Sequence, residues 1–352
     1  MAASVTPANF LVDPVELRKA GTVLLTAVAL IEASHAARAG RPLAFIFGQA
    51  TLAPIVADLI QLASVCGHSA ANYEACEASL TPGFLKNFGA IEPTLAKAVA
   101  AFGLEIDTAI GGGETAVAIS RVGTSGSISP QGTSDLLAKL EQASHSQQIL
   151  VESGTGIAGR QFILYLPGTE NWKPIPNSKV FDLTSDLAAM SKAGVSAPER
   201  AAVQALRASG FGSLPTDRLV IAGYSEGGLI GANLIASGAV ANLGGRVAGL
   251  IAVASPISSA KIPESVKVLA IEHVNDPVPK LDLAEHQEST NWQTVKLKPS
   301  GLLGHSLTSY RESVRGLGLN QNLALDKHLS RILESNPLSR NAELTGYVAK
   351  RL

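Results

Sequence analysis

The residue best suited to chemistry in this sequence is Ser225, flanked by Gly223 and Gly227 inside the stretch LVIAGYSEGGL at 219–229. The apolar run Leu219, Val220, Ile221, Ala222 predicts a buried strand. Glycines two before and two after Ser225 fit a sharp strand-to-helix corner, where any larger side chain clashes across the turn. A serine there presents its hydroxyl, and the free N–H groups of the following helix point at any oxyanion that forms beside it. To act as a nucleophile, such a serine needs a base, and the base needs an acid to orient it. Asp276 is the expected acid, because it follows a predicted strand at 266–271 and enters a proline-bounded loop that Asn275 would hold by an Asx-type bond. His305, between Gly304 and Ser306 after a predicted strand Trp292–Leu297, is the expected base. The other histidines fit less well. His35, His68 and His145 precede the serine, His273 precedes the acid, His286 lies in the polar run 285–288, and His328 lies in the last helical segment.

Acyl chemistry on a serine also needs a second donor for the tetrahedral oxygen, from a loop after a neighbouring strand. The segment QFILYLPGTENW at 161–172 supplies that pattern: Phe162, Ile163, Leu164 and Tyr165 predict a strand that runs into Pro167, Gly168 and Thr169. The amide and hydroxyl of Thr169 are the candidate donors there, with the Glu226 amide as the other. Each such donor is worth about 3 kcal/mol of barrier. The Glu226 side chain is accounted for by helix-start electrostatics, worth about 0.3–1 kcal/mol. If it faced the substrate instead, it would disfavour long uncharged acyl groups.

These residues must be carried by a regular frame. Residues 135–143, 180–191 and 197–209 read as helices, the third opened by Ser196, Ala197 and Pro198 with Glu199 close behind. Residues 148–152 and 247–253 read as further strands. The alternation predicts a mostly parallel α/β sheet in three layers, with chemistry at the C-terminal ends of its strands. Residues 174–196 read equally as a candidate cover over the site or as a plain connecting loop and helix.

Ahead of that frame the pattern is helical. Asp13 and Pro14 open a helix whose stripe is Leu17, Ala20, Leu24, Ala27, Val28 and Ile31. A second stripe runs over 52–80 through Ile55, Val56, Leu59, Ala63, Cys66, Ala70 and Tyr73, and a short helix is predicted at 91–103. The expected organisation is a helical hairpin region at 1–110, a Gly/Ser-rich linker or edge segment at 111–130, and a catalytic domain at 131–352. Within the middle segment, Ala116, Ala118 and Ile119 predict an edge strand, and residues 123–132 predict loop.

Composition narrows the function classes. A chain of 352 residues and 36.3 kDa can bury a full α/β core. A net charge of −1 and a pI near 6.7 give no basis for nucleic-acid binding. Hydrophobic residues make up 46% and mean hydropathy is +0.23, but much of this is alanine, and no run is long enough to span a bilayer. Asp13, Glu16 and Glu32 argue against a Sec signal peptide in the first helix. Cys66 and Cys76 are too few for a disulfide scaffold. Gly111, Gly112 and Gly113 lack the lysine of a phosphate loop. Glu272, His273 and Asp276 alternate in direction at a strand end, so no metal site is expected, and the serine chemistry calls for no cofactor.

The order GT-x-N-W, G-Y-S-x-G-G, N-D-x-V-P and a late loop histidine resembles the α/β-hydrolase superfamily, and within it the class 3 lipases. The resemblance covers about residues 130–320 and implies a three-layer α/β-hydrolase sandwich. It implies Ser225 as nucleophile, Asp276 as acid, His305 as base and Thr169 in the oxyanion loop. Glu226 stands where that family carries an apolar residue. The hairpin resembles the WxG-type proteins of type VII secretion, with Tyr73 and Glu77 at the spacing of the Y-x-x-x-D/E signal and Phe47 and Gly48 nearest the W-x-G turn. The expected activity is serine carboxylic-ester hydrolysis, esterase or lipase, on a small-molecule or lipid-like ester. An acyltransferase, thioesterase or amidase could use the same triad, and a secreted effector could work mainly through the hairpin. The hairpin's apolar stripe calls for a helical partner or a second copy of the chain, and the location expected is the cytoplasm or export by a type VII-like route.

Overall fold

The computed structural model describes residues 116–156, 159–170, 178–191, 195–276, 278–282, 284, 289–299, 305–333 and 342–352. The predicted hairpin with Cys66, Cys76, Tyr73 and Glu77, the helix at 91–103 and the triple glycine lie outside the described residues. So do His286 and parts of the candidate cover, 174–177 and 192–194.

The described chain forms eight strands, β1 (Val117–Ser127), β2 (Ile149–Gly156), β3 (Gly159–Leu166), β4 (Arg218–Tyr224), β5 (Arg246–Val253), β6 (Lys267–His273), β7 (Trp292–Leu297) and β8 (Ala342–Arg351). Between them run α1 (Thr133–Ser146), α2 (Leu183–Ser191), α3 (Ala197–Ala208), α4 (Glu226–Ala236), α5 (Leu307–Arg315) and α6 (Leu319–Leu333). All eight strands belong to one sheet in the order β1-β8-β2-β3-β4-β5-β6-β7.

The sheet is mixed, which corrects the expectation of a mostly parallel one. Strands β3 to β7 run parallel. The pairs β2–β3, β2–β8 and β1–β8 are antiparallel. Two of these pairs come from β8, which enters between β1 and β2 and whose partners lie far away in sequence, while β2 and β3 pair antiparallel as sequence neighbours. β1 continues to Ser127 through a stretch that reads as loop. Backbone pairing with β8 from Ala342 to Arg351 supplies the hydrogen bonds there, with an irregularity between Arg121 and Gly123.

Alternate residues of the central strands point to opposite faces, and both faces are buried. On one face Phe162, Leu164, Leu219, Ile221, Leu250 and Val268 pack against the alanine-rich side of α3 and against α4. On the other, Ile163, Tyr165, Val220, Ile251 and Leu269 pack against α1, α5 and α6. This produces a three-layer helix–sheet–helix sandwich. Leu136, Leu137, Leu140 and Ala143 form the inward stripe of α1, and each leucine contributes about 1.5–3 kcal/mol by its burial.

The helix ends are fixed by identifiable partners. Glu199 accepts from the Ser196 N–H at 2.6 Å at the start of α3, as the sequence predicts. The start of α1 lacks a capping side chain, because Gly132 stands there. Asp326 of α6 takes that role across the layer, accepting from the Thr133 N–H at 2.7 Å and its hydroxyl at 2.8 Å.

Candidate active site

The parallel half of the sheet brings the C-terminal ends of β3, β4 and β6 to one edge, and the candidate residues collect there. Ser225 follows β4 directly and precedes the first residue of α4. Its backbone has φ 53° and ψ −119°, a strained conformation for a non-glycine residue. The flanking glycines make this corner possible. A Cβ on Gly223 would lie 2.3 Å from the Gly227 backbone, and one on Gly227 would lie 2.4 Å from the Leu166 carbonyl oxygen. The Ser225 N–H donates to the Val253 carbonyl at 2.8 Å, which ties the corner to β5.

Asp276 sits three residues beyond β6, 1% exposed. Its Oδ1 accepts from the Val278 N–H at 2.9 Å, an Asx-type bond that the acid itself makes across this loop. His305 immediately precedes Ser306, which caps α5 by accepting from the Ser309 N–H. The imidazole Nδ1 lies 2.9 Å from Asp276 Oδ2 and 3.1 Å from Oδ1, and its Nε2 lies 2.9 Å from Ser225 Oγ. A carboxylate only accepts, so Nδ1 carries the proton and Nε2 is left to accept from the Ser225 hydroxyl. The His305 side chain is 25% exposed whereas Ser225 is 5% exposed, so the base forms the solvent side of the arrangement. These three residues, distant in sequence, have the hydrogen-bond pattern of a catalytic triad.

Two tyrosines that sequence reasoning missed hold the triad in place. The Tyr224 ring stacks on His305 with centroids 5.4 Å apart, and its hydroxyl donates to the His305 carbonyl. The Tyr310 hydroxyl donates to Asp276 Oδ2 at 2.8 Å. Tyr224 adjoins the serine in the motif, which was the available signal. Tyr310 had none, because its partner comes from another layer.

The structure places Thr169 just after β3, with Gly168 packed under Tyr224: a Cβ on Gly168 would lie 2.8 Å from that ring. The Thr169 hydroxyl donates to Asp186 Oδ2 of α2 at 2.8 Å, so its proton is committed away from Ser225. Burial pushes the Asp186 carboxyl up to about 7; the Thr169 hydrogen bond opposes this and the Asp182 charge adds to it. Burial likewise raises Glu170 to about 7, against the pull of Lys179 at 3.5 Å. Glu226 is buried in the first turn of α4, where the helix dipole favours a carboxylate.

The competing histidines among the described residues lie away from Ser225 in other elements. His273 is buried with its Nε2 3.0 Å from Ser313 Oγ. His328 lies on α6, its pKa lowered by burial and by Arg331 and Lys327. His145 lies in the last turn of α1. Among the described residues, no cluster of three or more His, Cys, Asp or Glu side chains could hold a metal ion, and no helix is long and apolar enough to cross a membrane. The chain thus joins an α/β sandwich to a buried Ser–His–Asp triad, and comparison with known proteins finds no matching family model, no matching curated protein and no matching solved structure.

Proposed function

We propose that this chain is a serine carboxylic-ester hydrolase of the α/β-hydrolase type. The observation that carries the proposal is the continuous hydrogen-bond line from Ser225 Oγ through His305 to Asp276. In this reading Ser225 Oγ attacks the acyl carbon while its proton passes to His305 Nε2. Asp276, accepting from Nδ1–H, stabilises the imidazolium. The oxyanion is met by the amides of Glu226 and Thr169, each worth about 3 kcal/mol. His305 then returns the proton to the leaving alcohol. It next takes a proton from water, which attacks the acyl carbon, and gives that proton to Ser225 Oγ as the Oγ–acyl bond breaks and the acid leaves.

The motif order over residues 130–320, which resembles class 3 lipases, puts an ester, small or lipid-like, first, and a measured acyl-acceptor preference separates it from an amide, a thioester or acyl transfer. The catalytic unit, expected over residues 131–352, is assigned to 117–352 because β1 belongs to the same sheet. The region 1–110 is assigned as a helical hairpin that serves export or partner binding.

The test is release of p-nitrophenol from a graded ester series, acetate through palmitate, by the purified chain beside Ser225→Ala. Expected is a loss of about 10⁴-fold or more in kcat in the variant, with fluorophosphonate labelling of the wild type at Ser225 alone. The chain-length optimum separates esterase from lipase. A folded wild type that neither releases product nor is labelled overturns the reading.

A further inference from the structure

Behind the triad, Tyr310 has no freedom. It is fully buried on α5, and its hydroxyl oxygen accepts from the His273 backbone N–H at 2.7 Å. That amide can only donate, so the single hydroxyl proton goes to Asp276 Oδ2 at 2.8 Å. The ring is clamped as well: the His273 imidazole lies against it with centroids 3.7 Å apart and planes 10° from parallel. His273 is itself pinned, since Ser313 Oγ gives its proton to the Lys298 carbonyl at 3.0 Å and must accept from His273 Nε2. The charged and titratable groups facing the Tyr310 hydroxyl are Asp276 and Glu272, with His273 on the ring. Those facing His305 are Asp276, Ser225 and the stacked Tyr224. Burial and then the Asp276 charge push the ionisation of Tyr310 well above its ordinary range, so the hydroxyl remains a donor at every working pH.

We propose that Tyr310 is a positioning residue of this site: its hydroxyl fixes the plane of the Asp276 carboxylate and draws charge from it, and so sets the proton affinity of His305. Its catalytic use rests on the triad reading above. A hydrogen bond to the charged carboxylate spreads the negative charge that faces the imidazole. Without that bond, Asp276 holds the imidazolium more strongly. A histidine that is already protonated cannot accept the Ser225 proton, so the hydroxyl extends activity to lower pH.

The test is Tyr310→Phe, which keeps the ring on His273 and removes only the donor. The His305 Cε1–H signal of the full chain, assigned by its loss in His305→Gln, is titrated by NMR. Expected is a rise in its midpoint of about half to one pH unit. The acid limb of kcat/KM should move by the same amount, with kcat about tenfold lower and KM within about twofold. A second variant carries 3-fluorotyrosine at position 310 alone, a more acidic donor of nearly the same shape, and should move the midpoint the other way. It also decides the matter if Tyr310→Phe does not fold. Midpoints within about 0.2 unit of wild type in the folded variants overturn the proposal. The NMR readout needs no turnover. A shifted midpoint without ester hydrolysis sinks the ester reading and leaves the control of His305 standing, and hydrolysis with an unmoved midpoint sinks only the role of Tyr310.

Discussion

Ser225 is held by backbone, whereas Asp276 and His305 are held by side chains from other parts of the molecule. The serine corner depends on the absence of Cβ atoms at Gly223 and Gly227 and on one amide bond to β5. The acid–histidine arm depends chiefly on the side chains of Tyr310 from α5 and Tyr224 from β4, with the Val278 N–H two residues along the chain as a local backbone tie. The difference sets how each half fails. A change at the corner meets hard steric contact and is felt as displacement and lost stability. A change in the arm leaves the packing nearly intact and is felt as a change in which atom holds a proton.

The largest effect that separates the two halves is expected from Asp276→Asn. It keeps the shape but cannot hold His305 with the proton on Nδ1, so kcat should fall about 10³- to 10⁴-fold with the melting temperature little changed. Activity within tenfold of wild type would break the distinction. Gly227→Ala should show the opposite profile. Its Cβ would stand 2.4 Å from the Leu166 carbonyl and 2.5 Å from that of Pro167, which costs about 1–3 kcal/mol of stability and shifts Ser225. Chemical denaturation measures that cost, and full stability in this variant would remove the steric account of the corner.

The smallest effect sharpens the comparison at Thr169, whose amide belongs to the backbone-held side while its hydroxyl is anchored by a side chain. Asp186 has its carboxyl raised from 3.8 to about 7, so the folded chain binds this proton more tightly than the unfolded one. Its contribution to stability is therefore best below 3.8, declines as pH rises, and reaches its full cost above about 7. Asp186→Asn should raise the melting temperature at pH about 8 relative to pH about 4, measured by calorimetry against wild type at each pH. Glu170 is raised in the same direction and is present in both proteins, so the difference between them isolates Asp186. A variant less stable than wild type at high pH alone would mean that the charged bond to Thr169 outweighs the burial of the carboxylate.

The corner was legible in the sequence because its determinants are contiguous: an apolar strand, two spaced glycines and a serine. The triad partners were legible by chain order and by loop context at Asp276 and His305, each close to a strand or helix end. Three features were not. The Thr169 hydroxyl turns to Asp186, which comes from a helix whose approach no local pattern reveals. Tyr310 reaches Asp276 because α5 brings it against His273 at the end of β6, and its spacing from Leu307 and Val314 looks like an ordinary buried helix stripe. The antiparallel part of the sheet was hidden because β8 joins the sheet far from its sequence neighbours, and the Gly/Ser-rich end of β1 has low strand propensity until a partner satisfies it.

That late strand also has a bearing on how the protein is made. Val117 pairs with Arg351, and the Leu352 N–H donates to the Ala116 carbonyl, so the two ends of the described chain close on each other. Arg351 locks the closure through Asp182 at 2.7 Å and Ser185 at 2.6 Å. During synthesis the parallel strands can assemble as they emerge, but β1 and the open side of β2 must wait for β8. From the completion of β2 until β8 emerges, the nascent chain therefore carries unpaired strand edges, and these are the surfaces on which chaperone protection or misassembly between neighbouring chains will act.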